Sequence, residues 1–390
     1  MILPIILFLI LLIAPDVYLW LHLIEPMKTW WISTIWFVPT ALSLLSFFMA
    51  RAGFYHNTFM RIMFAFILIF ALPKIIFILL DFFVMWQIAL GAALMVDLIF
   101  LYGFFFGWRR IIVRETVCES NLLPDSFNGY RILQFSDLHV GTYIQNPKFI
   151  KKLVRIMNEQ QADLVVFTGD LVNIHAEEVL PFMSDLRTIK AKDGVFSIMG
   201  NHDYCEYGMD AAHEKKQKET EPIKESTAHR HQRILEYLEE RMGWKMLMNE
   251  HVTIVRKNNA KEENKEEKID LIGVENIGKP PFKSMGNLPK AMKGLEEGTF
   301  KILLSHDPTH WRQGVLYKTD IALTLSGHTH AGQLRIGKFS PAKWAYNEWG
   351  GKYMEDGSML HISPGIGGTV PFRIGAWPEI NVITLRKKKE

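Results

Sequence analysis

The first 108 residues form long apolar runs joined by short polar connections, whereas the rest of the chain alternates short apolar runs with helical and polar segments. A transmembrane helix needs about 20 mainly apolar residues to cross the hydrocarbon core of a bilayer. Four runs reach this length and predict transmembrane helices at residues 2–24, 30–50, 62–80 and 84–107. Tryptophans, which favour the membrane interface, lie near the ends of these runs: Trp30, Trp31, Trp86 and Trp108.

The change of pattern divides the chain into three predicted regions. We expect a membrane domain with about four transmembrane helices at residues 1–108, a juxtamembrane linker at 109–129 and a soluble domain at 130–390. The first region holds only four of the 44 basic and four of the 41 acidic residues. This composition excludes a wholly soluble or disordered protein. Two cysteines exclude a disulfide scaffold, and a net charge of +3 gives no reason to expect a nucleic-acid partner.

Basic residues beside the predicted helices predict the orientation of the membrane domain, because short cytoplasmic loops carry an excess of Lys and Arg. The loop between the second and third helices holds Arg51 and Arg61, and three arginines follow the fourth helix. The other two connections hold only Lys28 as a basic residue. We therefore expect both termini, and with them the soluble domain, to be cytoplasmic. A cleaved signal peptide is the alternative for the first run, but no basic segment precedes it.

Three charged residues, Lys74, Asp81 and Asp97, lie in or near the predicted spans and allow two interpretations. Charges inside a membrane are candidates for a transport or proton-relay function. Alternatively, Asp81 lies at the end of a span, and Lys74 snorkels to the interface or pairs within the bundle. The sequence has no inverted repeat of the kind that many transporters carry, which favours the structural interpretation.

Five short apolar runs predict β-strands in the soluble region, at residues 131–136, 164–168, 195–199, 301–305 and 321–326. Residues 147–160, between the first two runs, carry apolar side chains at helical spacing. This alternation predicts an α/β fold with parallel strands. In a single sheet of that kind, ligands collect at the carboxyl ends of the strands.

Residues able to bind a metal follow all five predicted strands. The sequences are Asp137-Leu138-His139, Gly169-Asp170, Gly200-Asn201-His202-Asp203, His306-Asp307 and Gly327-His328-Thr329-His330. Carboxylate, imidazole and amide ligands without thiolates suit divalent ions such as Mn, Fe or Zn. A buried structural histidine explains one such strand end but not five in succession. His328 and His330 need a turn rather than a regular strand, and Gly327 and Gly332 permit one.

At these residues the chain resembles the calcineurin-like metallophosphoesterase family. The family pattern is D-x-H, G-D, G-N-H-[DE], a later His and G-H-x-H, and every element is present in order between residues 131 and 385. A closing stretch at 363–367, followed by Pro371-Phe372-Arg373 and Pro378-Glu379-Ile380, is similar in a looser way to a membrane-anchored bacterial phosphodiesterase-like branch.

The resemblance implies a four-layer αββα sandwich, here preceded by a helical membrane bundle, with two divalent metal ions in one pocket. By motif position, the ligands of the first ion are Asp137, His139, Asp170 and His330. Those of the second ion are Asp170, Asn201, His306 and His328. Asp170 would bridge the two ions, and the implied chemistry is attack of a metal-activated hydroxide on phosphorus.

The resemblance also implies roles for residues beside the ligands. His202 is expected to be the catalytic general acid that protonates the leaving alkoxide, with a hydrogen bond to a ligand as its alternative role. Asp203 is expected to orient a neighbouring imidazole. Asn173 departs from the Asp often found at its position in protein phosphatases, which leaves the tuning of His202 open.

These inferences predict a membrane-anchored, dinuclear metal-dependent phosphoesterase. The short connection after the fourth helix favours a phosphodiester or pyrophosphate substrate close to the bilayer, including a lipid-linked one. Soluble nucleotides or phosphoproteins are alternative substrates for the same chemistry. A non-catalytic scaffold or a transporter is the alternative of a different class, and the complete ligand set argues against it. The resemblance implies a bacterial plasma membrane.

The remaining features each allow two interpretations. Arg373 either contacts a substrate phosphate or lies on the surface. Four aromatic residues either line an apolar groove near the site or pack a loop: Trp344, Tyr346, Trp349 and Tyr353. Segments 211–233 and 257–268 are expected to be solvated insertions, the second a long hairpin tip, although His213, His229 and His231 suggest a metal tract. The basic tail 386–389 is either solvated or in contact with anionic lipid.

Overall fold

The computed structural model of the protein describes residues 2–51, 57–205, 226–257, 266–280, 282 and 284–388. The chain forms two compact units. The first comprises Met1–Trp108 and Thr369–Ile374, and the second comprises Arg109–Gly368 and Gly375–Glu390. Most of the predicted insertions at 211–233 and 257–268, with His213 and the end of the basic tail, lies outside the described residues.

The described residues of the first unit form five α-helices: α1 Ile2–Leu19, α2 Trp30–Arg51, α3 Asn57–Phe66, α4 Leu72–Asp81 and α5 Trp86–Phe105. The π-helical turn Ile67–Ala71 joins α3 to α4 and directly precedes a segment with Pro73, which has no N–H for a helical hydrogen bond. Among the described residues, four helical segments are long and apolar enough to cross a membrane, and they lie where the sequence predicts spans: Ile6–Met27, Trp30–Met49, Arg61–Asp81 and Trp86–Arg109.

A polar cluster lies among the apolar side chains of the first unit. The buried carboxylate of Asp16 on α1 forms an ion pair with Lys74 on α4 and accepts a hydrogen bond from the Thr40 hydroxyl on α2. The indole N–H of Trp36 donates to the Asp16 carbonyl over 3.0 Å, and the Lys74 ammonium lies 4.1 Å from that ring's centroid. Pairing within the bundle is therefore the correct interpretation of Lys74, and the cluster links three helices.

A segment from near the carboxyl end of the chain completes the first unit. The ring of Phe372 packs against those of Phe100 and Phe104, with centroid distances of 5.8 and 4.8 Å. The Arg373 N–H donates to the Gly103 carbonyl over 3.3 Å. A side chain at position 103 would come within 2.6 Å of the Phe372 ring, so the helix needs glycine there. Arg373 is only 1% exposed, and its interpretation as a surface residue is wrong.

The described residues of the second unit form two six-stranded sheets. The first sheet has the order β1-β12-β2-β3-β4-β5, and all neighbours are parallel except β12 and β2. Its strands are β1 Ile112–Ser120, β2 Arg131–Phe135, β3 Leu164–Phe167, β4 Val195–Ser197, β5 Trp244–Met246 and β12 Glu379–Lys387. The segment 109–129, for which the sequence predicts a linker, thus contains the edge strand β1.

The second sheet has the order β10-β11-β9-β8-β7-β6, with parallel pairs in the centre and an antiparallel pair at each edge. Its strands are β6 Glu250–Lys257, β7 Glu266–Gly273, β8 Lys301–Leu304, β9 Leu323–Ser326, β10 Gly351–Glu355 and β11 Ser358–Ile362. The antiparallel pair β6 and β7 confirms the long hairpin expected in this region.

The two sheets pack face to face across a shared hydrophobic core, to which β3 contributes Leu164 and Val166 and β8 contributes Ile302 and Leu304. Helices lie on the outer faces: α8 Thr227–Met242 packs on the first sheet, with α7 Met183–Leu186 beside it and α6 Pro147–Glu159 next to α7, and α9 Leu288–Ala291 packs on the second. The outward-facing Ser197 of β4, for example, donates a hydrogen bond to Glu239 of α8. This arrangement confirms the four-layer αββα sandwich.

The five strands that precede the predicted ligands are confirmed, but the expectation that they share a single sheet is wrong. Strands β2, β3 and β4 belong to the first sheet, and β8 and β9 belong to the second. A strand that is buried on both faces has the same continuous apolar pattern in either arrangement. The pattern therefore predicts the strands but not the division between two sheets.

We predict that Lys74→Met destabilises the full chain in detergent by about 3 kcal/mol, because the Asp16 carboxylate stays buried without its cation. The double variant Asp16→Asn/Lys74→Met should recover most of this loss, since no uncompensated charge remains. Thermal unfolding measures both, and Lys28→Met, which removes an exposed cation, is the matched control. Equal stability of Lys74→Met and the parent would contradict the paired state of Asp16.

Candidate active site

Side chains from five strand ends converge on one region of the second unit. In the first sheet they follow β2, β3 and β4, and in the second they follow β8 and β9. Their ligand atoms form two groups, and within each group all atoms lie within 4.8 Å of one another. The first group is Asp137, His139, Asp170 and His330, and the second is Asp170, His306 and His328. The structure thus brings six of the seven predicted ligands together.

Asp170 belongs to both groups and lies between the two sheets. Its Oδ2 atom is 3.6 Å from Nε2 of His139, which follows a strand of the first sheet. The same oxygen is 3.3 Å from Nε2 of His306, which follows a strand of the second sheet. That nitrogen in turn lies 3.3 Å from Nδ1 of His328. A single carboxylate therefore connects donor atoms contributed by both sheets.

Asn201, the seventh predicted ligand, is buried in the loop after β4, and its neighbours in sequence contact Asp170. The His202 N–H donates to Oδ1 of Asp170 over 2.8 Å. A side chain at Gly200 would come within 2.2 Å of the same oxygen, so this approach requires glycine. The loop thereby brings residue 201 beside the shared carboxylate.

Five of the seven predicted ligands have left-handed backbone torsion angles. Their φ values are 50° for Asp137, 48° for His139, 63° for Asp170, 72° for His328 and 50° for His330. Residues that carry a Cβ atom rarely adopt this conformation, and those that do cluster at functional sites. The chain turns sharply after each strand, which allows residues two apart in the sequence to contribute to one site.

Asp203 holds two of these turns together. One carboxylate oxygen accepts hydrogen bonds from the N–H groups of Leu171 and Val172, and the other accepts from those of Asp170 and Gly200. All four distances lie between 2.7 and 3.2 Å. The prediction that Asp203 orients an imidazole is therefore wrong, because its side chain positions the backbone that carries the shared carboxylate.

The imidazoles differ in charge because burial and the carboxylates act in opposite directions. Burial lowers the pKa of His139 to about 3 and that of His328 to about 4, so both rings are neutral at neutral pH. Burial also disfavours the charged form of His306, but the Asp170 and Asp137 carboxylates outweigh it and raise the pKa of His306 to about 10. The site therefore attracts positive charge, which a bound metal ion would supply in place of this proton.

The ring orientations fit metal binding. The Nδ1–H groups of His139 and His306 donate to the carbonyl oxygens of Val172 at 3.2 Å and Thr168 at 2.7 Å, and each Nε2 faces Asp170. Among the residues that the structure describes, the buried Nε2 of His139 has no hydrogen-bond partner. Metal-ligating histidines typically donate their other N–H to a carbonyl or carboxylate in this way. The group is an Asp/His metal-binding site.

His202 borders the same site and is half-buried. Its ring lies edge-on to that of His139, with the centroids 4.8 Å apart. Its Nδ1 lies 2.8 Å from the main-chain carbonyl oxygen of Asn173, which can only accept a hydrogen bond. Nδ1 therefore carries a proton, and the main chain rather than the side chain of residue 173 orients the ring. The departure from Asp at this position leaves the contact intact.

Tyr346 is a site residue that lies outside the predicted ligand motifs. Its hydroxyl lies 2.8 Å from Nε2 of His328, the ring nitrogen that is not directed at the second group. The rings of Tyr346 and Phe282 both lie edge-on to the His328 ring, at centroid distances of 5.5 and 4.8 Å. The only sequence signal for Tyr346 was its place in the aromatic segment. The aromatic residues of that segment have different environments in the structure: Trp349 is buried in loop packing, and Trp344 is exposed.

The glycine-rich stretch after β11 supports Asp137. The Gly367 N–H donates to the Asp137 carbonyl over 2.7 Å. A side chain at position 367 would come within 2.1 Å of the Leu138 carbonyl oxygen, so the contact needs glycine. Asp137 lies in turn 3.4 Å from Nε2 of His330, through its Oδ1 atom. The glycines of the looser closing motif are therefore part of the support of the site.

Comparison with known proteins agrees with this geometry. A sequence model described as calcineurin-like phosphoesterase matches residues 130–332. The chain is 30% identical over 293 residues to the uncharacterized metallophosphoesterase YkuE of Bacillus subtilis, covering 71% of this chain and 86% of that protein. It is 28% identical over 271 residues to a transmembrane protein with metallophosphoesterase domain of Danio rerio, covering 68% of this chain.

These matches differ in how much of each relative they span. The chain covers 55% of the Danio rerio protein, so it spans about half the length of that relative. Among solved structures, a Thermus thermophilus protein, TT1561, aligns over 61% of this chain and 91% of that chain, with 13% identity and a TM-score of 0.34. The sequence matches, not this structural alignment, show the family.

We predict that Tyr346→Phe weakens metal binding about tenfold, because the hydroxyl that orients His328 is lost while the ring remains. Competition with a chelator, using Mn²⁺ or Zn²⁺ and the full chain, measures the affinity. Tyr353→Phe is the matched control, since the Tyr353 hydroxyl accepts a hydrogen bond from the Trp349 N–H over 3.1 Å and contacts no ligand. Equal affinities of the two variants would contradict a role for Tyr346 at the site.

Proposed function

The chain belongs to the calcineurin-like phosphoesterase family, and we propose that it is a membrane-anchored phosphoesterase that uses two divalent metal ions. The observation that carries this proposal is the sharing of Asp170 by two groups of ligand atoms. A carboxylate has two oxygens and is therefore suited to bridge two ions. Two-ion sites stabilise both the attacking and the leaving oxygen during in-line displacement at phosphorus.

We assign the two ions to the two groups of ligand atoms. The first would be held by Asp137, His139, Asp170 and His330. The second would be held by Asp170, His306, His328 and, as a neutral ligand, Asn201. A neutral amide limits the negative charge of the site, which favours the approach of an anionic phosphate ester. Mn, Fe and Zn all suit this set of oxygen and nitrogen donors.

When bound, the metal ions would lower the pKa of a water molecule and neutralise charge on the phosphoryl oxygens. The protein's own residues supply the remaining functions. The carbonyl contacts of His139 and His306 hold each Nε2 toward Asp170. His202, whose Nδ1 proton is held by the Asn173 carbonyl, is the general acid that protonates the leaving alkoxide from Nε2.

We propose a phosphodiester or a pyrophosphate as the substrate, with a lipid-linked ester as the leading candidate. Four helices of membrane-spanning length in the same chain support this choice, because an anchored enzyme meets lipid-linked substrates at high local concentration. Soluble nucleotide or phosphoprotein substrates would use the same chemistry. The pairing of Lys74 with Asp16 weakens the argument for transport, and the assembled ligand groups argue against a non-catalytic scaffold.

We further propose that the second unit is cytoplasmic and that the membrane is a bacterial plasma membrane. The arginines at positions 51, 61, 109, 110 and 114 support this orientation, because basic residues accumulate on the cytoplasmic side. Cys118 and Cys205 are free thiols, which agrees with a reducing compartment.

The proposed activity predicts a metal-dependent loss and recovery of hydrolysis by the full chain in detergent. Protein stripped of metal should not hydrolyse bis(p-nitrophenyl) phosphate, and Mn²⁺ should restore the activity, with about two ions bound per chain. Asp170→Asn should abolish hydrolysis and bind fewer ions, because a neutral amide cannot bridge two cations. Asp356→Asn, which changes an exposed carboxylate, should behave like the parent.

Inactivity of the folded parent with Mn²⁺, Fe²⁺ and Zn²⁺ would overturn the proposed enzyme class. The substrate class is then tested in mixed micelles, by comparing a lipid-linked pyrophosphate with its water-soluble headgroup analogue. We expect a higher kcat/KM for the lipid-linked ester, since the membrane anchor keeps enzyme and substrate together. Equal kcat/KM values would favour a soluble substrate and leave the enzyme class unaffected.

His202→Ala should reduce kcat by about 10²-fold to 10⁴-fold for an alkyl phosphodiester, because an alkoxide needs a proton to leave. The loss should be much smaller for a p-nitrophenyl ester, whose leaving group is stable as an anion. Metal content should not change, and His229→Ala, at an exposed position on α8, is the matched control. Loss of metal from the variant, or an equal fold reduction of kcat for both esters, would refute the general-acid role.

A further inference from the structure

The loop after the last histidine motif exposes apolar side chains on the second unit. We define the Trp344 loop as residues 335–344. Trp344 is 79% exposed, Ile336 is 66% exposed and Phe339 is 43% exposed. Single exposed apolar residues are common, but these three lie within nine residues and form one patch, which is typical of an interaction surface.

The patch is a structured surface, because hydrogen bonds and ring packing hold the loop that presents it. Ile336 and Phe339 exchange two backbone hydrogen bonds, of 2.9 and 3.0 Å. The rings of Phe339 and Trp344 meet edge to face, with their centroids 5.8 Å apart. The buried Ser340 hydroxyl donates to the Ala331 carbonyl over 2.6 Å. The apolar side chains are therefore held outward by the fold of the loop.

The charged residues of the Trp344 loop and of the positions beside it in the sequence have one sign. Residues 332–347 contain Arg335, Lys338 and Lys343 but no Asp or Glu. The ammonium-bearing residues Lys338 and Lys343 are exposed on either side of Phe339. The next carboxylate in the sequence, Glu348, is buried and paired with Arg312, so it does not neutralise the patch.

The Trp344 loop packs against the point where the chain returns from the first unit. Gly375 follows Ile374, the last residue of the segment that packs among the helices. Gly375 is so close to Arg335 that an added side-chain atom would lie 1.8 Å from the Arg335 carbonyl oxygen. Ala376 then packs with Ala342 beneath the loop. The residues that support the loop are thus one peptide bond away from the segment Thr369–Ile374 of the first unit.

We propose that the Trp344 loop binds the headgroup region of an anionic lipid bilayer. Aromatic and aliphatic side chains suit the boundary between headgroups and acyl chains, and the three cations suit anionic headgroups. A second copy of the chain is the other candidate for an apolar patch. In a symmetric dimer, however, the same three cations would face one another and repel.

This contact would bring lipid headgroups close to the metal-binding site. Tyr346, two residues after Trp344, forms the hydrogen bond to His328. A lipid-linked ester held at that depth would reach the site without leaving the bilayer. This consequence rests on the proposed function, whereas the membrane contact itself does not depend on any reaction.

A fluorescent label beside Trp344 tests the contact in the full chain. Ala345 is exposed, whereas Cys118 and Cys205 are 2% and 1% exposed, so Ala345→Cys supplies a selectively reactive thiol for an NBD label. The labelled protein is placed in nanodiscs of phosphatidylcholine and phosphatidylglycerol, with and without nitroxide-bearing lipid. We expect a blue shift of the emission and quenching by the nitroxide. The same label at exposed Tyr237→Cys on α8 is the matched control and should show neither effect.

Charge reversal tests the lipid preference. In the Ala345→Cys background, Lys338→Glu/Lys343→Glu should reduce the quenching, and nanodiscs of phosphatidylcholine alone should reduce it similarly. Emission and quenching equal to those of the Tyr237→Cys control would overturn the proposal. A blue shift of the label in detergent that increases with protein concentration would also overturn the proposal. In that case a second copy of the chain, not lipid, would cover the patch. The Asp170→Asn protein should give the parent signal, so failure of docking and failure of catalysis are distinguishable.

Discussion

The candidate site depends on a backbone conformation that L-amino acids normally avoid. Five ligands lie in the left-handed region, which costs about 1–3 kcal/mol for each non-glycine residue. The four N–H groups bound by Asp203 offset part of this cost, as does close packing that leaves no space for a side chain at Gly200, Gly327 and Gly367. These contacts exist only in the folded domain, so the ligand geometry is a property of the whole sandwich.

The sandwich divides the site between two sheets that share one hydrophobic core. Asp137, His139 and Asp170 follow strands of the first sheet, whereas His306 and His330 follow strands of the second. A metal ion held by either group would therefore cross-link the sheets. Because a ligand that binds only the folded state stabilises it, metal binding and the stability of the second unit should be coupled.

The carboxyl-terminal stretch serves both units. Gly367 supports the backbone of Asp137, and five residues later Phe372 packs against Phe100 in the helical unit. The chain then returns at Gly375, beneath the Trp344 loop. The first unit is therefore not built from the amino-terminal residues alone, because the segment Thr369–Ile374 completes its packing.

Local pattern was enough to predict four apolar helices of membrane-spanning length, the five strands and the residues that follow them, because run length and residue type are visible in neighbouring positions. It did not reveal that β2 and β8 lie in different sheets, that Asp203 bonds to backbone amides, or that Tyr346 reaches His328. These features depend on residues 18 or more positions apart, which meet only when the core has formed. The sequence by itself thus determined which residues can bind a metal. Tertiary packing decided which strands pair and where each side chain points.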